Sequence, residues 1–205
     1  MRVNIQAVSC GIIQENAYIV SRDGRDDCVV LDPGDDFAKL QRALGGRPVG
    51  AILLTHGHFD HILAAGPLSQ ATGAPVYIHE ADAEMLNDST LNGYADLMGG
   101  FAQGPEVTAL PLGEAIQASG LDFAVLHTPG HSKGSVCLYL KDEGVLFSGD
   151  TLFEAGYGRV DLYGGDMRAM LNSLKSLFDL PGDTRVCPGH GGETTIARER
   201  ARYRL

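Results

Sequence analysis

Apolar and polar residues alternate from the start of the chain, with Val3, Ile5 and Ala7 on one side and Asn4 and Gln6 on the other, the period-two pattern of a half-buried strand. Ala17-Tyr18-Ile19-Val20 is β-prone and Cys28-Val29-Val30-Leu31 is a continuous apolar run, so strands are predicted over 2–9, 16–21 and 28–32, with Asp23-Gly24 turning between the last two. After Asp32-Pro33-Gly34 the period becomes helical over 35–44: Phe37, Leu40 and Leu44 share a face, acids occupy the first turn, and Gly45-Gly46 closes the helix. Ala51-Ile52-Leu53-Leu54 predicts a buried strand over 50–55. Ile62 to Thr72 reads as helix interrupted at Gly66-Pro67, where proline suits the first residue of a fresh helix. A strand at Val76-Tyr77-Ile78 and a short helix over 80–86 follow.

The second half repeats this order. Strands are predicted over 107–110, 114–118, 121–127, 135–140 and 144–148, then a helix from Asp166 to Leu177. Met167, Met170, Leu171, Leu174 and Leu177 fall at helical spacing there, which assigns the methionines to a core. A strand at 184–187 and a helix from Thr195 end the chain. Sheet, helices, sheet, helices is an α/β (α+β) order that predicts two mixed sheets packed on each other with helices on both outer faces. Between the halves, 87–103 has no clean period yet holds Leu91, Tyr94, Leu97, Met98 and Phe101. It reads either as a lid bringing Leu97 and Phe101 to a substrate or as a helix pair packed on the core.

Composition narrows the function classes. The 205 residues, 44% hydrophobic and 20% charged, fit one domain over 1–205. A net charge of −10 repels a phosphate backbone, so nucleic acid is not an expected partner. The amphipathic N-terminus lacks the continuous apolar segment of a signal peptide or membrane span, so the expected location is cytoplasmic, with no membrane partner. Cys10, Cys28, Cys137 and Cys187 are far apart in apolar runs and read as reduced, buried thiols.

The chemistry sits where apolar strands end. Thr55-His56-Gly57-His58-Phe59-Asp60-His61 places three imidazoles and a carboxylate directly after one strand, and His131, Asp150 and His190 each follow another. If those four strands lie side by side, all four loops open on one edge. His56 and His58, two apart, suit one metal ion together with His131. Asp60 and His61, adjacent and diverging, suit a second with His190, and Asp150 has two oxygens with which to bridge. Between two divalent ions about 3.5–4 Å apart a water loses a proton near neutral pH, giving a hydroxide nucleophile beside Lewis acids. Asp60 would work with that hydroxide. His, Asp and water ligands suit zinc first, with iron or manganese as alternatives. His79 and His127 read instead as core or supporting hydrogen-bonding residues.

His56-x-His58-x-Asp60-His61, His131, Asp150 and His190 resemble the metallo-β-lactamase superfamily, and Leu31-Asp32-Pro33-Gly34 and His127-Thr128-Pro129-Gly130-His131 extend the likeness along nearly the whole chain. The resemblance implies a four-layered αβ/βα sandwich. Ser148-Gly149-Asp150-Thr151-Leu152-Phe153, Gly158-Arg159-x-Asp161 and Pro188-Gly189-His190-Gly191 resemble the short bacterial glyoxalase II-like (hydroxyacylglutathione hydrolase-like) subgroup, which implies hydrolysis of a small-molecule thioester such as S-lactoylglutathione. Persulfide dioxygenases, mononuclear iron oxidoreductases of similar sequence, give the alternative activity; another ester or a lactone is an alternative substrate. The zinc β-lactamase pattern differs, because His61 stands where those enzymes carry arginine. Arg159 matches a basic glutathione-binding position of the subgroup, and could equally pair with Asp161. The chain stops about fifteen residues after His190, so the C-terminal glutathione-binding helical domain of full-length glyoxalase II is not expected, and its tyrosine is replaced by Gly191-Gly192-Glu193.

Overall fold

The alternating N-terminal stretch forms β1 (Val3–Cys10), which pairs antiparallel with β2 (Glu15–Arg22). The computed structural model describes residues 2–100 and 107–203. β3 (Cys28–Leu31) follows, then helix α1 (Phe37–Leu44) crosses back so that β4 (Val49–Leu53) lies parallel to β3. One helical turn, α2 (Phe59–Ile62), and α3 (Ala65–Thr72) lead to β5 (Val76–Ile78). The break between α2 and α3 thus falls before Gly66-Pro67, and Pro67 is the third residue of α3. It is tolerated there because N–H groups of a first turn have no acceptor within the helix. A 3-10 helix over Glu80–Asn87, tighter than the helix expected, and α4 (Tyr94–Met98) precede the edge strand β6 (Ala109–Pro111).

The second sheet contains β7 (Ala115–Ala118), β8 (Leu121–His127), β9 (Val136–Leu140) and β10 (Val145–Gly149), then α5 (Met167–Leu177), β11 (Arg185–Pro188), β12 (Thr194–Thr195) and α6 (Ile196–Arg200). Strand order is β1-β2-β3-β4-β5-β6 in one sheet and β12-β11-β10-β9-β8-β7 in the other.

Three apolar layers account for the continuous hydrophobic runs. Along β3, Cys28 and Val30 face Leu40, Leu44 and Leu68 of the helices outside, while Val29 and Leu31 face Leu121, Phe123 and Phe147 of the opposite sheet. Tyr139 and Leu146, on the far side of that second sheet, pack against Met170, Leu174 and Leu177 of α5. A strand buried on both faces has no polar alternation to show. The four strands that precede the candidate ligands do not lie side by side, which departs from the arrangement the sequence suggested: β4 belongs to the first sheet, β8, β10 and β11 to the second, and β9 separates β8 from β10. Their C-terminal ends converge because the sheets are stitched at that edge, Val136 N–H donating to Thr55 O and Asn16 N–H to Gly189 O, both at 2.8 Å.

None of the residues of α4 is buried, and Leu97 is 52% exposed, so α4 itself is not a core-packed helix. Phe101 lies outside the described residues. Among the described residues, no helix is long and apolar enough to cross a membrane.

Candidate metal centre

His56 leaves the end of β4, His58 stands at the cap of α2, and Asp60 and His61 ride on its single turn. His131 follows β8, Asp150 follows β10 and His190 follows β11. One donor atom from each of His56, His58 and His131 lies within 4.8 Å of the other two, and the same holds for Asp60, His61 and His190. Asp150 stands between these triads: its Oδ1 is 3.3 Å from His61 Nε2, and its Oδ2 is 3.5 Å from His131 Nε2 and 3.7 Å from His190 Nε2. His190 Nε2 is also 3.1 Å from Asp60 Oδ2. Close approach is possible at Gly189, where a Cβ would collide with Asp150 Oδ1 and lie 2.6 Å from Cε1 of His61.

The outer hydrogen bonds set which ring nitrogen faces inward. His131 Nδ1 donates to the Arg159 carbonyl at 2.7 Å, leaving an Nε2 lone pair toward the cluster. Thr55 Oγ1 gives its proton to Asp32 Oδ2 at 2.7 Å and therefore accepts from His56 Nδ1 at 3.0 Å, so His56 Nε2 also points a lone pair inward. His61 Nδ1 donates to the same Asp32 oxygen at 3.0 Å. Oriented in this way, His56 Nε2, His61 Nε2 and Asp150 Oδ1 are buried without a hydrogen-bond partner. Buried polar atoms left unmatched are costly, and an inward set of imidazole lone pairs and carboxylate oxygens is what divalent cations coordinate.

Charge supports the same reading. Burial, helped by the neighbouring imidazoles, holds His56 well below its ordinary value, and burial with His131 holds His58 down at about 3. Both are neutral, as ligands must be. Burial would raise the Asp150 carboxyl, but His61, His131 and His190 outweigh it and keep it ionised. Burial opposes a proton on His61, yet Asp150, Asp60 and Asp32 push its pKa well above the ordinary value. The carboxylates that favour positive charge on His61 would equally favour a divalent cation beside it.

Three supporting carboxyls were given no site role by the sequence, although Asp32 stands in the quoted Leu31-Asp32-Pro33-Gly34. Asp32, in the left-handed region at φ 45°, accepts from Thr55 N–H, Thr55 Oγ1 and His61, and so ties the two triads together. A signal existed for it, since it is a polar residue immediately after an apolar strand, as the ligands are. Asp82, fully buried on the 3-10 helix, accepts from Gly57 N–H at 3.0 Å, Ser132 Oγ at 2.6 Å and Gly134 N–H at 2.6 Å. It joins the His56–His58 loop to the loop after His131, and nothing in its sequence surroundings, between two alanines, marks it. Glu15 is fully buried at the start of β2, 3.8 Å from His61 Nδ1, with both oxygens unpaired; burial, reinforced by Asp32, Asp60 and Asp150, raises its pKa well above the ordinary value.

A cavity of about 410 Å³ opens over the cluster, lined by His58, Asp60, His131, Asp150 and His190 and beyond them by Ile13, Phe59, Leu97, Phe153, Arg159 and Leu162. Leu97 is thus at the site. Arg159 lines the cavity too, but its guanidinium is held by Asp161 through two bonds of 2.7 and 2.8 Å. His79 and His127 lie apart, stacked at 4.3 Å; His79 caps the helix that carries Asp82, and the exposed His127 bonds Lys133 O.

Two sheets in this order, with a His/Asp cluster at the strand ends, define a metal-site αβ/βα sandwich. Residues 10–190 match the metallo-beta-lactamase superfamily, and the chain belongs to it. It is 41% identical over 199 residues to the probable metallo-hydrolase YqgX of Bacillus subtilis, covering 92% of this chain and 90% of that one. It is 31% identical over 208 residues to the hydroxyacylglutathione hydrolase GloC of Haemophilus influenzae, covering 97% and 95%. Among solved structures, the BLEG-1 B3 metallo-beta-lactamase superposes with a TM-score of 0.90 at 39% identity over 97% of both chains. TTHA1623 in a di-iron-bound form does so with 0.85 at 42% over 95% and 96%.

Proposed function

We propose that the protein is a metal-dependent hydrolase of small acyl thioesters, the chemical class to which S-lactoylglutathione belongs. The observation that carries this reading is Asp150 standing between two donor triads, with His56 Nε2, His61 Nε2 and Asp150 Oδ1 buried and without a hydrogen-bond partner. His56, His58 and His131 would hold one divalent ion and Asp60, His61 and His190 the other, with Asp150 shared and zinc the first candidate. Such a pair supplies an acidified water and a Lewis acid for the thioester carbonyl. The chain supplies the rest. Asp60, ionised because His61 and the His190 bond outweigh the effect of its burial, lines the cavity and orients the attacking water. The Arg159 carbonyl and Asp32 fix the rings of His131 and His61, and the apolar walls keep bulk water from the acyl group. The names of the B. subtilis and H. influenzae relatives support hydrolysis.

The test combines elemental analysis of the purified protein with thioester turnover. Two metals per chain and thiol release are expected. The likeness to ETHE1 from Myxococcus xanthus, with a TM-score of 0.74 at 28% identity over 96% of this chain and 81% of that one, favours weighing one alternative, a mononuclear iron persulfide dioxygenase-like oxidoreductase. One iron per chain, oxygen uptake with glutathione persulfide and no thioester hydrolysis would establish that activity instead.

A further inference from the structure

The cavity walls carry information about substrate beyond the ligands. Five large apolar side chains, Ile13, Phe59, Leu97, Phe153 and Leu162, surround the donor cluster from separate segments of the chain. The polar side chains beside them are already engaged. Asn92 donates to Met85 O and accepts from Tyr94 N–H, so both ends of its amide are used inside the protein. Arg159 is bonded twice to Asp161, and a carboxylate brought to that guanidinium would meet the Asp161 carboxylate already there. Two of these lining side chains also reach the surface, Ile13 being 46% exposed and Leu97 52%. Large apolar side chains gathered at the mouth of a cavity mark a surface that something apolar covers. The volume of about 410 Å³ suits a small ligand.

Resting on the hydrolase reading above, we infer that this site selects thioesters whose two halves are both uncharged and largely apolar, an aliphatic acyl group on a neutral thiol. A thioester of glutathione fits poorly. That tripeptide thiol presents two carboxylates and an ammonium, and among the described lining residues no free side chain awaits them. An aliphatic chain displaces water from Leu97, Ile13 and Phe153 with no polar group left unpaired.

The experiment uses the full chain loaded with its metals and measures kcat/KM for the acetyl, butyryl and hexanoyl thioesters of N-acetylcysteamine and for S-hexanoylglutathione. Burial of one methylene corresponds to about a fourfold gain, so kcat/KM should rise steeply from acetyl to hexanoyl. Hexanoyl-N-acetylcysteamine should exceed S-hexanoylglutathione by tenfold or more, and Leu97→Ala and Ile13→Ala should flatten the chain-length dependence through KM while kcat holds. Equal or faster turnover of the glutathione thioester, or no response to chain length, would overturn the inference and leave the hydrolase reading standing. A selective loss of glutathione thioester turnover in Arg159→Ala would also overturn it, because the guanidinium would then be leaving Asp161 for substrate. Failure to hydrolyse any thioester would remove both.

Discussion

Asp82 offers the sharpest test of how the centre is held together, because it touches neither substrate nor any proposed ligand atom. Its three acceptor contacts go to Gly57, Ser132 and Gly134. In Asp82→Ala, Ser132 keeps its 2.7 Å contact with Ser135 Oγ, but two buried backbone N–H groups lose their acceptor. At about 1–3 kcal/mol for each stranded group the cost is about 2–6 kcal/mol, which can approach the whole stability of a domain. Asp82→Asn is the more informative variant. Its amide oxygen can still serve Gly57 and Ser132, while its NH2 faces the Gly134 N–H donor to donor, so about 1–3 kcal/mol is expected. Loosening the tie between these loops should also lower cation affinity at His56, His58 and His131 by about 10- to 100-fold, with a smaller effect at Asp60, His61 and His190. Urea unfolding of metal-free protein measures the first quantity and chelator competition the second. An Asn variant with the wild-type urea midpoint and wild-type affinities at both triads would refute the clamp.

Asp150→Ala should remove both metals and nearly all turnover; stoichiometric metal in that variant would contradict a bridging role. His190→Ala should loosen mainly the ion shared with Asp60 and His61, and equal loss of both ions would show that the division into triads is wrong. Acid should destabilise the metal-free protein in a defined window. The folded-state pKa of His58 is about 3 against an ordinary 6.5, so between those values the unfolded chain binds more protons and stability falls as pH falls. The His58 contribution has an upper bound of about 5 kcal/mol and His56 shifts in the same direction, while raised His61 and raised Glu15 act oppositely, losing their contributions as pH rises above their ordinary values of 6.5 and 4.5. A urea midpoint that stays flat from pH 7 to pH 4 would count against this electrostatic picture.

The clustering of the candidate donors was legible because each follows an apolar strand run, and a polar residue at the point where a buried strand surfaces has few structural uses. The layering was legible for a related reason: doubly buried strands such as Cys28–Leu31 cannot alternate, and helices such as α5 show a single apolar stripe. What sequence did not show was the partition of strands between sheets, since both sheets are built from the same kinds of run. Nor did it show the supporting carboxyls. Asp82 and Glu15 owe their roles to partners far along the chain, Gly134 at a separation of 52 residues and His61 across β2, and no local pattern encodes such meetings.

The donors do not belong to one sheet. His58 and His131 are separated by 73 residues and Asp60 and His190 by 130, and each pair joins the first half of the chain to the second. An ion held there is therefore a staple across the seam of the sandwich. A disordered chain would have to close loops of that length to gather the same donors, so it competes weakly for the ion, and nearly all the binding energy falls to the native state. At a free metal concentration a thousandfold above the dissociation constant, each site adds about 4 kcal/mol to stability. Metal supply would then govern the lifetime of the folded molecule as well as its turnover, and depletion would expose the seam between the two halves to proteolysis.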